Sequence, residues 1–220
     1  LNDAIIVKTA FNYDAVVIWM HGLGADGHDF EDVIPSLSLP EKLKIKFIFP
    51  NAPIVPVTIN NGYKMRAWYD IKTMDLALEP DIKGIQSSAE FISTWVEREI
   101  GEEVAPSRIL LAGFSQGGVI ALELGLRFPK RLGGIIALST YSPTISLLHS
   151  EKSEANQKTP IFWGHGSEDN VVPLDYGKRS SDALKAQGYS VYFHEYPLLP
   201  HSVSLPEIKD IGAFIVKVLS

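Results

Sequence analysis

Gly113-Phe114-Ser115-Gln116-Gly117 holds a serine between two glycines, the pattern of a sharp strand-to-helix turn that carries a hydroxyl outward as a nucleophile. The bare pattern arises by chance in roughly one chain of this size in fifteen, so its surroundings decide its meaning. Upstream, Arg108-Ile109-Leu110-Leu111-Ala112 is an apolar run of strand length. Downstream, Gly118-Val119-Ile120-Ala121-Leu122-Glu123-Leu124 is apolar nearly all round, as a buried helix is. Ser115 falls at the junction.

A serine hydroxyl is a weak nucleophile at neutral pH and needs a general base within hydrogen-bond reach, itself oriented by an acid. On a strand-turn-helix scaffold the acid and the histidine are expected later in the chain, in that order, on loops that follow strands. Asp169 follows the apolar run Pro160 to Gly164 through His165-Gly166-Ser167-Glu168, and His201 follows Ser190 to Tyr196. The plainer reading of Asp169 is a turn residue capping Asn170 and Val171, and that of His201 is a solvated loop histidine. Glu168 is the rival acid; Asp175 falls inside the next helix. Of the other histidines, His194 lies mid-strand with a structural role, His149 sits in a polar excursion, and His165 reads as strand-end packing.

A tetrahedral intermediate needs donors for its oxyanion, each commonly worth about 10²–10³ in rate. One expected donor is the backbone N–H of Gln116, just after the nucleophile at a helix N-terminus. The other is the N–H of Leu23, in the loop His21-Gly22-Leu23-Gly24-Ala25-Asp26-Gly27, whose plainer reading is a flexible turn. No Gly-Lys-Ser/Thr or Gly-x-Gly-x-x-Gly spacing supports a phosphate loop there.

These residues need a scaffold. Apolar runs at Ala15 to Met20, Ile45 to Pro50, Arg108 to Ala112, Gly133 to Ser139, Pro160 to Gly164 and Ser190 to Tyr196 predict buried strands. Helical patterns alternate with them. Ile82, Ile85, Ala89, Ile92 and Val96 repeat at steps of three and four within Asp81 to Ile100. Ile208, Ile211, Ile215 and Val218 do so between about Leu205 and Leu219, behind Ser204 and Glu207 as a capping box. Strands separated by helices imply an α/β fold, a mostly parallel sheet covered on both faces. Residues 52–80 and 140–159 lack such regularity, and loops of that length are lids or excursions.

The chain of 220 residues suits one α/β domain, 1–220, with a core that needs no staples. A net charge of −6 argues against nucleic acid or an anionic membrane surface as the main partner. No apolar run approaches the roughly 20 residues that cross a bilayer, and no secretory signal is read at Leu1, so stable membrane insertion is not expected. Without cysteine there is no disulfide, thiolate nucleophile or cysteine zinc site. A cytoplasmic address is the expectation.

His21-Gly22-Leu23-Gly24, Gly113-Phe114-Ser115-Gln116-Gly117-Gly118, Gly166-Ser167-Glu168-Asp169 with Val171-Val172-Pro173, and His201-Ser202-Val203 resemble the acyl-protein thioesterase and small carboxylesterase family of α/β-hydrolases, also described as lysophospholipases. Pro50-Asn51-Ala52-Pro53 and Trp68-Tyr69-Asp70 extend the resemblance over nearly the whole chain. It implies a cofactor-free, metal-free serine hydrolase with Ser115, Asp169 and His201 as triad and Leu23 and Gln116 as oxyanion donors. Three positions depart from the family: Pro200 precedes the histidine where a glycine is usual, Asn170 replaces a proline, and Ser142 stands where the family is apolar. Residues 71–78 are expected to wall an acyl groove as a mobile flap, although their alternation equally suits a plain edge strand. The groove is expected from Leu23, Trp68, Ile71, Met74, Leu76, Tyr141 and Val171.

The expected activity is hydrolysis of short- to medium-chain acyl esters, with thioesters as a further substrate, by a monomer or weak homodimer. The partner expected is a small acyl ester or thioester substrate, with an acylated protein or a lysophospholipid as further candidates; the rival readings are a lysophospholipase and a non-catalytic binding protein on the same fold.

Overall fold

The structure, a computed structural model, describes residues 3–76 and 78–220. Its centre is a seven-stranded sheet in the order β1-β3-β2-β6-β7-β8-β9, built from β1 (Ala4–Lys8), β2 (Ala15–Met20), β3 (Ile45–Pro50), β6 (Ile109–Phe114), β7 (Gly134–Leu138), β8 (Ile161–Gly166) and β9 (Val191–Tyr196). Only β1 runs antiparallel, against β3; the other pairs are parallel. A hairpin of β4 (Ile54–Val57) and β5 (Tyr63–Arg66) stands apart from this sheet.

Every residue of β2 and β3 is buried, which is why these strands read as unbroken apolar runs rather than alternating ones. The helices are α1 (Ile82–Gly101), α2 (Gln116–Arg127), the short α3 (Leu148–Glu151), α4 (Leu174–Ala186) and α5 (Leu205–Leu219). Ile85, Ile92 and Val96 of α1 are fully buried with Val119 to Leu122 of α2 on one face of the sheet. Ile211 and Ile215 of α5 pack on the other, with Phe30 and Leu37. Each such aliphatic side chain contributes roughly 1.5–3 kcal/mol when removed from water. The expected capping box opens α5: Ser204 accepts from the Glu207 N–H and the Glu207 carboxylate accepts from the Ser204 N–H.

The chain reverses its direction of travel across the sheet at β2. From there it moves outward to β3, then returns to lay β6 on the other side and continues to β9. The loops leaving β2 and β6 therefore diverge, and such a switch point opens a crevice at the carboxyl ends of the strands. These are the loop His21 to Gly27 and the turn at Ser115.

Two expectations about elements need correction. Residues 52–80 contain the β4-β5 hairpin, whose five-residue loop from Thr58 to Gly62 makes a 3-10 turn and closes through Asn61 and Gly62 at positive φ (55° and 74°), with an edge-tolerant Pro56 in the preceding strand. Residues 71–76 and 78 form bends and turns and not an edge strand, with the Leu78 N–H donating to the Asp75 carbonyl; Ala77, within the expected flap, lies outside the described residues. β1 carried no alternation strong enough to be read; it is an edge strand with a mixed burial pattern. Among the described residues no helix is long and apolar enough to cross a membrane.

Candidate active site

Ser115 sits where β6 ends and α2 begins, with φ 55° and ψ −118°. A side-chain-bearing residue in that region costs of order 1–3 kcal/mol, and the surroundings hold it there. Its N–H donates to the Leu138 carbonyl of β7, and its own carbonyl accepts from the N–H of Gly118 and from the Thr140 hydroxyl. The flanking glycines are required by contact: a Cβ at Gly113 would overlap the Gly117 carbonyl, and one at Gly117 would overlap the Met20 carbonyl.

Asp169 is buried and does two things at once. Its Oδ1 accepts from the N–H groups of Val171 and Val172 at 2.9 and 2.8 Å, the turn-capping role, while Oδ2 lies 2.7 Å from His201 Nδ1. A carboxylate accepts, so Nδ1 of His201 carries the proton and Nε2 is left as the basic nitrogen. The His201 ring rests on Phe114, the residue before the serine, with centroids 4.7 Å apart. Glu168, the rival acid, is exposed. Pro200 fits because Leu198 takes a positive φ of 58° and the Leu199 carbonyl accepts from Glu168 N–H, across Gly166.

Three side chains with no supporting role expected from the sequence, those of His165, His21 and Gln116, hold this arrangement. His165 is wholly buried, donates from Nε2 to the Val172 carbonyl at 2.8 Å, and stands 3.6 Å from Asp169 Oδ2. It is thus more than strand-end packing, because it holds the turn that holds Asp169. Burial pushes its pKa below the ordinary histidine value. His21 is also buried and shifted down by burial. It accepts from the Ala52 N–H at Nε2, so Nδ1 is protonated and donates to the Gly22 carbonyl, fixing the start of the Leu23 loop. The Gln116 side chain is the third: Oε1 accepts from Trp68 N–H at 3.0 Å and Nε2 donates to the Tyr69 carbonyl at 2.8 Å.

A cleft of about 250 Å³ runs along Ser115 and His201. Leu23, Ile71, Leu76, Tyr141 and Val171 line it as expected, joined by Gln116, Tyr69, Phe114, Val172, Ala25 and Asp29. The backbone N–H groups of Leu23 and Gln116 make no hydrogen bond to the described residues. Two of the expected lining residues are elsewhere. Trp68 turns inward, buried, with its indole N–H on the His21 carbonyl, because the Gln116 clamp fixes the backbone on either side of it. Met74 points to solvent, 85% exposed. The segment around it is tied at Leu76, whose carbonyl accepts from the Tyr141 hydroxyl, and at Asp75, which accepts from the Tyr176 hydroxyl of α4. Ser142 is buried, its N–H on the Ser180 hydroxyl, and Asn170 is exposed. Neither lines the cleft.

The phospholipase/carboxylesterase family model matches residues 1–219. The chain belongs to that family. Among curated relatives, acyl-protein thioesterase 1 of Gibberella zeae is 36% identical over 98% of this chain and 95% of its own. Carboxylesterase SOBER1 of Arabidopsis thaliana is 34% identical over 90% of this chain and 88% of its own. The crystal structure of SOBER1 superposes with a TM-score of 0.89, covering 94% of this chain and 99% of that one. That of Zea mays acyl-protein thioesterase 2 gives 0.87 at 28% identity, each chain covered in full. The protein is accordingly an α/β-hydrolase and a carboxylic ester hydrolase of the phospholipase/carboxylesterase family.

Proposed function

We propose that the protein cleaves short- to medium-chain acyl esters and thioesters through an acyl-enzyme on Ser115. His201 Nε2 takes the proton as Ser115 Oγ attacks the acyl carbon, and Asp169 stabilises the imidazolium that forms. The N–H groups of Leu23 and Gln116 hold the oxyanion of the tetrahedral intermediate. As that intermediate collapses, His201 returns the proton to the departing alcohol or thiol. Water then repeats the sequence with His201 as base, freeing the acid and the serine. No metal or cofactor enters these steps.

The observation that carries this reading is the Asp169 carboxylate, bonded to His201 Nδ1 at 2.7 Å beside the cleft that Ser115 lines. Short to medium chains fit because the cleft, about 250 Å³, lies below the roughly 300–1,000 Å³ usual for drug-sized ligands. Thioesters and acylated proteins enter from the likeness to the acyl-protein thioesterases, and esters from that to the carboxylesterase. We place the reaction in one domain spanning 1–220, in the cytoplasm, in a monomer or weak homodimer.

A fluorophosphonate probe should label one residue, Ser115, and both labelling and hydrolysis of p-nitrophenyl butyrate should vanish in Ser115→Ala. Labelling elsewhere, or retention of more than a few per cent of kcat, would move the nucleophile.

A further inference from the structure

The cleft has two unlike walls. Ile71, Leu76, Tyr141 and Val172 form an apolar wall that belongs to the core on the α1 and α2 face of the sheet. Leu23, Ala25, Asp29 and Phe114 form the other, and Phe114 packs into the core on the α5 face beside Phe30, the neighbour of Asp29. Ser115 lies between them. An acyl chain gains about 0.8 kcal/mol for each methylene it buries against apolar surface, and the first wall offers four apolar side chains without a charge, whereas the second carries the solvent-exposed Asp29 carboxylate. The acyl chain therefore takes the first wall and the alcohol or thiol portion lies along the second.

Asp29 is the only carboxylate lining the cleft among the described residues, and it has no ion-pair or side-chain hydrogen-bond partner there. Cations in reach of this loop are engaged elsewhere. Arg66 is held by Asp3 and the Ala52 carbonyl, and His28 pairs with Glu31. Partial burial, with the negative charge of Asp26 nearby, pushes the Asp29 carboxyl up from its ordinary value, and a bound cation would relieve both effects.

We propose that Asp29 makes the enzyme selective for the charge of the leaving group, favouring esters and thioesters whose alcohol or thiol portion carries a cation close to the scissile bond and rejecting those with an anion there. This rests on the reading of Ser115 as the nucleophile. A basic residue beside an acylated side chain of a protein supplies such a cation. A lysophospholipid places its phosphate nearer the ester than any cation it carries, so Asp29 counts against it.

The test is a series with one acyl group and three leaving groups: butyryl thioesters of thiocholine, mercaptoethanol and thioglycolate, and the matching choline, ethylene glycol and glycolate esters. Because these leaving groups also differ in acidity, the comparison is of the parent's kcat/KM ratios with those of Asp29→Asn: the cation-to-neutral ratio should be about two- to fivefold higher in the parent and the anion-to-neutral ratio lower by as much, as for an exposed ion pair, and the difference should shrink at high salt. Asp29→Lys should shift both ratios the other way from Asp29→Asn. Equal ratios in the parent and Asp29→Asn, or ratios that Asp29→Lys leaves unmoved, overturn the proposal while leaving the reaction intact. If the neutral esters and thioesters are themselves not cleaved, the reaction assigned to Ser115 fails, and this selectivity with it.

Discussion

Replacing Asp169 by asparagine separates orientation from charge at the histidine. The carboxylate receives three donors: two backbone N–H groups at Oδ1 and His201 Nδ1–H at Oδ2. An amide offers one acceptor and one donor, so it cannot satisfy all three. Turning its NH₂ toward Val171 and Val172 would leave two N–H groups unpaired, at about 1–3 kcal/mol each when buried. Turning it toward His201 opposes one donor, and the imidazole can answer by moving its proton to Nε2. The second arrangement wins. His201 then presents an N–H where Ser115 needs an acceptor, the wrong tautomer, for which the expected loss in kcat is about 10⁴-fold, or roughly 5.5 kcal/mol. Because the Oδ1 bonds survive, the urea midpoint should barely move. The measurement is kcat on p-nitrophenyl butyrate near pH 8, with ¹⁵N spectra of His201 reporting the tautomer and Glu168→Gln as the control expected to stay within severalfold. Retention of more than a tenth of kcat by Asp169→Asn, or a larger loss at Glu168, refutes the reasoning.

Gln116→Ala leaves the Trp68 N–H and Tyr69 carbonyl unpaired and should cost about 2–4 kcal/mol in urea unfolding, lowering kcat/KM for longer acyl esters more than for acetate as the Ile71 wall loosens; equal losses across the series would detach the clamp from the groove. His165→Leu, which strips the donor from the Val172 carbonyl, should lower kcat at least tenfold while His165→Gln, able to donate there, retains most of it; similar values for the two would remove His165 from the support of Asp169. Glu207 is fully buried with one oxygen unpartnered, and burial pushes its pKa up to about 8. The native state keeps this proton while the unfolded chain loses it near 4.5, so the contribution to stability falls as pH rises from about 4.5 to 8. Above about pH 6.5, where the buried histidines no longer oppose it, the urea midpoint should decline in the parent up to about pH 8 and decline less in Glu207→Gln, and parallel curves would contradict the assignment. Buried His21 and His165 act with the opposite sign, since the unfolded chain takes up protons first as pH falls below about 6.5, and they offset the Glu207 slope there; in Glu207→Gln, which removes that slope, the urea midpoint should fall as pH drops from about 6.5 to 5, and one that does not would contradict this.

What the sequence determined by itself is what local periodicity and short motifs encode. The buried runs of β2 and β3, the apolar stripe of α1, the capping box of α5 and the glycines about Ser115 each follow from constraints within a few residues. Fold class was legible for that reason, and so was the chain order in which Ser115, Asp169 and His201 follow their strands. The tertiary structure alone decided where irregular segments point. Nothing near Trp68 and Met74 in the chain reveals that one faces the core and the other water, because their backbone is set by distant partners such as the Gln116 amide. Likewise Asp29 reaches the cleft only because the chain reverses at β2 and brings the loops after β2 and β6 to one crevice. His165 meets Asp169 only through the fold of the turn between them. A periodic element fixes the facing of its side chains from its own repeat, whereas a loop takes its facing from the hydrogen bonds and walls that the rest of the chain supplies.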